Sequence, residues 1–61
     1  MKRRDLLRHI EANGCVFVRE GHGHTIYENP INRKRVPIPR HREIPDVFAR
    51  AICRQLEISE P

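Results

Sequence analysis

The chain has 61 residues, 38% of them hydrophobic, with 12 Lys and Arg against 8 Asp and Glu and a formal charge of +4. That length allows one domain over residues 1–61 with a thin core, since a chain this size buries only about 60% of the surface its unfolded form exposes. The charge favours an anionic partner such as nucleic acid, a phosphorylated ligand or an acidic protein, and no run of about 20 apolar residues exists to span a membrane.

The first periodic segment is Arg3 to Asn13. Leu6, Leu7 and Ile10 form an apolar stripe, with Lys2, Arg3, Asp5, Arg8 and Glu11 on the other side, as in a short amphipathic helix. Asn13-Gly14 closes it, because both residues tolerate the left-handed conformation. Cys15 to Val18 is rich in β-branched and aromatic side chains and reads as a strand, followed by a turn over Arg19 to Gly23. His24 to Glu28 forms a second strand, Asn29 to Arg33 a second turn, and Lys34 to Ile38 a third strand. Pro37 cannot donate to a ladder and puts this last strand at an edge. After the basic loop Pro39-Arg40-His41-Arg42, a second helix runs from Pro45 or Asp46 to Leu56, with Phe48, Ile52 and Leu56 every four residues. The expected fold is α+β: an α-β-β-β-α order with a three-stranded antiparallel sheet covered on one face by two helices. Phe17 and Phe48 are expected in the core. That leaves Tyr27 as the one aromatic able to stack on a base.

The start, Met1-Lys2-Arg3-Arg4-Asp5, is basic but leads into no apolar stretch of the kind a signal peptide carries. Cys15 and Cys53 are too few for a disulfide scaffold, so the expected compartment is a reducing cytosol. Both read as small core residues. His22-x-His24 with a cysteine lacks the paired spacing of a zinc site, and no phosphate-binding glycine loop or nucleophile elbow is present; neither a metal nor another cofactor is expected.

Charge placement is more informative. No acid interrupts the segment containing Arg33, Lys34, Arg35, Arg40, His41 and Arg42, and Lys2, Arg3, Arg4 and Arg8 add a second cluster. Such a run favours contact with a nucleic-acid backbone over simple solvation. Among His9, His22, His24 and His41, His24 stands out as the first residue of a strand after a Gly-rich turn, where a side chain is held and accessible. A free imidazole titrates near pH ~6.5 and can take the proton of a ribose 2′-OH, which then attacks the adjacent phosphorus. Strand alternation places His24 on the side of Ile26, the expected core side.

The runs Gly14-Cys15-Val16-Phe17-Val18-Arg19, Gly23-His24-Thr25-Ile26-Tyr27 and Val36-Pro37-Ile38-Pro39-Arg40-His41 resemble the HicA toxins, small mRNA interferases of bacterial type II toxin–antitoxin systems. The likeness extends from the first helix to the end of the second. It implies a fold of the double-stranded-RNA-binding type and a catalytic histidine at the His of a Gly-Ser-His motif, which falls on His24. Here the pattern departs, because Gly23 stands at the serine position and His22 at the glycine position, leaving open what orients His24. The Pro39-Arg40-His41 match is intact. The resemblance further implies a HicB-type antitoxin that covers the active surface of a cytoplasmic bacterial toxin. The resulting expectation is a metal-independent endoribonuclease acting on mRNA, with His24 as base, Lys34, Arg35, Arg40 and Arg42 holding phosphates, and His41 or His22 protonating the leaving oxygen. The Pro39-Arg40-His41 segment also makes His41 a candidate for phosphate contact. The alternative is a non-catalytic RNA-binding module of the same fold, favoured if the His24 ring is buried and bonded at both nitrogens. A DNA-binding protein is disfavoured, because three strands precede the second helix instead of a helix and tight turn.

Overall fold

The apolar stripe near the start folds as expected into helix α1, Arg3–Ala12, with Leu6 and Ile10 fully buried. Asn13 ends it, and Gly14 takes φ 90°. The Gly14 amide donates to the Glu11 carbonyl and the Cys15 amide to the Ile10 carbonyl (3.0 and 3.1 Å), the paired bonds of a Schellman stop. Strands β1 (Val16–Gly21), β2 (His24–Asn29) and β3 (Lys34–Pro39) follow, then helix α2, Asp46–Leu56. This computed structural model describes all 61 residues.

The sheet has the order β1-β2-β3 and is antiparallel throughout. β3 is an edge strand, so Pro37 and Pro39 cost no ladder bond. They also remove two donors from the sheet's outer rim, which discourages a further strand from pairing there. A register shift between Phe17 and Arg19 bulges β1. One core cluster joins Leu6 and Ile10 of α1, Tyr27 of β2, Val36 and Ile38 of β3, Ile44, and Ala49, Ile52, Cys53 and Leu56 of α2. Both helices therefore cover one face of the sheet and leave the other open. No helix is long and apolar enough to cross a membrane.

Four sequence expectations are corrected. On β2, Thr25 and Tyr27 face the core, while His24 lies with Ile26 on the open face. The strand carries apolar groups in both phases, so its own alternation is ambiguous. Its partner decides: Thr25 pairs with Ile38 and Tyr27 with Val36, both buried, and opposed residues share a face. Tyr27 is 5% exposed and its hydroxyl donates to Glu11 Oε2 at 2.6 Å, so it offers no stacking surface.

The phenylalanines are the third and fourth corrections. Phe17 shares the face of Tyr27 and meets its ring edge-on (centroids 6.2 Å apart), but lies on the outer strand and is 53% exposed. The buried stripe of α2 is Ala49, Ile52, Cys53 and Leu56, which turns Phe48 outward at 57% exposure.

Polar ties close the remaining seams. Asn29 is buried, donates from Nδ2 to the Leu56 carbonyl (2.8 Å) and accepts the Ile31 amide (3.0 Å), thereby capping α2 and shaping the second turn. The Arg3 amide donates to the Arg42 carbonyl (2.9 Å) and the Ile44 amide to the Met1 carbonyl (2.8 Å), stitching the loop before α2 to the start of α1.

Candidate functional site

Gly21 and His24 close the β1–β2 hairpin around the two-residue turn His22-Gly23. Gly23 adopts φ 69°, a conformation that penalises a side chain, which accounts for glycine rather than serine here. The His22 carbonyl takes the orienting role. It lies 2.8 Å from His24 Nδ1, and because a carbonyl can only accept, Nδ1 carries the proton. In the neutral ring the lone pair then belongs to Nε2. His24 is exposed, and Nε2 has no partner within the chain. This is the tautomer a general base requires.

Beneath the hairpin, a chain of polar contacts fixes the main chain that carries His24. Arg3 Nη2 donates to Thr25 Oγ1 (2.7 Å), and Thr25 Oγ1 donates onward to Glu20 Oε1 (2.9 Å). The same carboxylate oxygen receives Nε and Nη2 of Arg40 (3.1 and 2.7 Å). Arg40 Nη2 also reaches the carbonyls of Gly21 and His24 (2.7 and 3.3 Å). Arg3 Nε ties to the Pro39 carbonyl (3.0 Å), opposite His24 across the β2–β3 ladder. The Thr25 hydroxyl first, and Arg40 after it, hold the Glu20 carboxyl below its usual range, with partial desolvation opposing them. Arg40 is thus internally engaged and positions the hairpin.

The basic run that looks acid-free along the chain meets acids in space. Arg35 Nε sits 2.7 Å from Glu28 Oε1, Arg33 is 3.7 Å from the same carboxylate, and Lys34 pairs with Glu57 at 3.5 Å. Arg35 and Arg33 hold the Glu28 carboxyl below its usual range, the Arg35 hydrogen bond being the largest cause. His41 and Arg42 are exposed and have no acidic partner. Arg42 lines a shallow groove with Lys2, Arg3 and Arg4.

The structure adds one residue that sequence reasoning missed. Arg19 pairs with Ile26 across the hairpin, and Gly21 with His24, so all four share the open face. Gly21 has no side chain, and Arg19 Nη1 lies 3.4 Å from where a Cβ would stand there. The guanidinium therefore lies over Gly21, the residue paired with His24, and is free of any carboxylate. His22 lines an open depression with Arg19, Glu20 and Gly21 and meets the His24 ring through its carbonyl. A two-residue turn at His22-Gly23, taken with strand alternation, would have revealed Arg19; the bulge in β1 hides it from simple counting.

No cluster of three or more His, Cys, Asp or Glu side chains is placed to hold a metal ion. Cys15 and Cys53 are free and buried, and burial pushes both thiols above their usual range. The arrangement offers a proton acceptor at His24 Nε2, an unpaired guanidinium on the same face, and a further histidine in the adjoining turn. Together these suit transfer of a phosphoryl centre between oxygens.

Against known families, the model for the HicA toxin of bacterial toxin–antitoxin matches residues 3–58. No curated protein and no solved structure gives a significant match.

Proposed function

The chain belongs to the HicA toxin family of bacterial toxin–antitoxin systems, and from this premise we propose that it is an mRNA-cleaving endoribonuclease with His24 as general base. One observation carries the proposal: His24 Nδ1 is committed to the His22 carbonyl at 2.8 Å, and Nε2 is left free on an exposed face beside Arg19.

In the proposed reaction, Nε2 removes the proton of a ribose 2′-OH, and the oxygen attacks the neighbouring phosphorus. Charge then builds on the non-bridging oxygens, where the unpaired Arg19 guanidinium stabilises it. The bond to the 5′-oxygen breaks, and an imidazolium donates the proton that oxygen needs. We assign this step to His22, whose carbonyl meets the His24 ring and which borders a depression with Arg19, ahead of His41 in the loop after β3. The products are a 2′,3′-cyclic phosphate and a 5′-hydroxyl. Arg40 and Glu20 act through the main chain, holding the hairpin at the angle the base needs.

A toxin of this family has a cognate antitoxin. We take that partner to be of HicB type, and the compartment to be the bacterial cytoplasm, where message and antitoxin are found. A buried ring bonded at both nitrogens would favour the non-catalytic alternative; the exposed ring, bonded at one nitrogen, supports the enzyme reading.

The test uses purified parent and His24→Ala on a labelled mRNA fragment. A positioned base contributes roughly 10²–10⁴-fold, so the variant should lose cleavage by about that factor while its circular dichroism is unchanged. Parent products should carry 2′,3′-cyclic phosphate ends. Equal cleavage by the variant, or 5′-phosphate ends, would reject the reading.

A further inference from the structure

Every carboxylate side chain in the molecule has a partner. Asp5, Glu20, Glu28, Glu43, Asp46, Glu57 and Glu60 are ion-paired, and Glu11 accepts the Tyr27 hydroxyl. Four arginines, Arg3, Arg19, Arg42 and Arg50, lack a carboxylate partner. The surplus positive charge is therefore localised, and two of these arginines, Arg3 and Arg42, line one groove.

That groove, of roughly 310 Å³, is walled by Lys2, Arg3, Arg4 and Arg42 and by nothing else. The Arg3–Arg42 and Met1–Ile44 main-chain bonds hold these side chains together despite their separation in sequence. The nearby acids compensate weakly: Glu43 lies 3.7 Å from Lys2 and Asp5 4.0 Å from Arg4, all largely exposed. The groove also borders the start of α1, which has no side-chain cap and whose Arg4 amide has no main-chain acceptor. Four cations at close quarters repel one another, and an anion seated among them relieves that repulsion.

We propose that this groove is a phosphate-binding subsite for the RNA strand, seating the backbone at a distance from the scissile bond. The inference rests on the ribonuclease reading and adds a division of labour. The open face around His24 and Arg19 performs the chemistry, and the groove supplies much of the affinity. RNA is favoured over an acidic protein segment because protein interfaces draw their energy from apolar and aromatic anchors in desolvated pockets. No hydrophobic or aromatic residue lines this groove to serve as such an anchor pocket. Arg3 links the two regions, since the residue lines the groove while its guanidinium bonds to Thr25, next to His24.

The test measures binding of a fluorescein-labelled single-stranded RNA of about a dozen nucleotides by anisotropy across a salt series, in the His24→Ala background so that the probe stays intact. Each phosphate contact on a single strand contributes about 0.7 to the slope of log K against log salt. Arg4→Gln and Arg42→Gln should each reduce the slope by about that amount and weaken binding several-fold. Arg54→Gln, which removes the same charge at the far end of α2, should leave the slope unchanged. Unaltered slopes in the groove variants, or an equal fall for Arg54→Gln, would overturn the proposal. So would weakening confined to a polyglutamate peptide, which would assign the groove to an acidic protein. The two readings fail separately. Loss of RNA affinity in the groove variants alongside full cleavage by His24→Ala would sink the catalytic reading and leave the subsite. Normal affinity in the groove variants alongside a dead His24→Ala would do the reverse.

Discussion

Replacing Thr25 by Val tests whether the polar chain under the hairpin holds the site. Valine keeps the shape and the strand preference of threonine and deletes only the hydroxyl. That hydroxyl accepts from Arg3 Nη2 at 2.7 Å and donates to Glu20 Oε1 at 2.9 Å, on a residue 3% exposed. Glu20 is open to water and rehydrates when the hydroxyl is lost, so the penalty falls on the half-buried Arg3 guanidinium. A hydrogen bond to a charged group contributes about 1.5–3 kcal/mol, and the lower part of that range, about 1.5–2 kcal/mol, suits a group only partly withdrawn from water. A domain of this size holds roughly 3–9 kcal/mol in all. The melting temperature should fall by about 6–16 °C, because 1 kcal/mol moves a small domain by about 4–8 °C. Cleavage should fall with kcat more than with KM, since the hairpin carrying His24 loosens. Thr25→Ser keeps both hydrogen bonds and should lose only about 1 kcal/mol for its methyl group. The difference should also narrow at low pH. Glu20 is depressed chiefly by this hydroxyl, so its contribution is present above the unfolded carboxylate pKa and disappears as pH falls through the lower folded value. Urea or thermal unfolding of the three proteins measures this directly. A Thr25→Val protein as stable as the parent, or a Thr25→Ser protein as weak as Thr25→Val, would refute the argument.

Burial and the bond to Glu11 push the Tyr27 phenol up to about 12. A group raised on folding stabilises the protein below its unfolded pKa and loses that contribution as pH rises, here between about 10 and about 12. Ultraviolet titration should show the phenol ionising late, with unfolding following in the same window; a midpoint near 10 in the folded protein would contradict the buried placement. At the end of α2, Glu57 takes φ 59°, with its amide donating to the Arg54 carbonyl and the Ile58 amide to the Cys53 carbonyl. This is a Schellman stop carrying a side chain where glycine is preferred. Glu57→Gly should raise stability by about 0.5–1 kcal/mol despite losing the exposed pair with Lys34, and a fall in the urea midpoint would count against it.

Local chemistry determined much of this protein at the level of sequence. The Leu6–Ile10 stripe, Asn13-Gly14, the Gly-rich turn, and Pro37 at an edge each act over a few residues and need no distant partner, so the element order was legible. His24 could be singled out for the same reason: its place after a tight turn is a local property. What needed the tertiary structure was every property set by a residue far along the chain. The face of β2 was decided by Val36 and Ile38 across the ladder, because His24-Thr25-Ile26-Tyr27 has apolar groups in both phases. Phe48 left the core because a four-residue repeat slips against the 3.6-residue turn, and Ala49 and Cys53 meet the sheet instead. Charge behaved likewise. A segment without acids looks uniformly cationic on paper, yet Glu20, Glu28 and Glu57 reach Arg40, Arg35 and Lys34 once the chain folds, and the positive charge left over collects around Arg19 and Arg42. Coulomb interactions act through space, and a linear reading has no access to the distances that decide them.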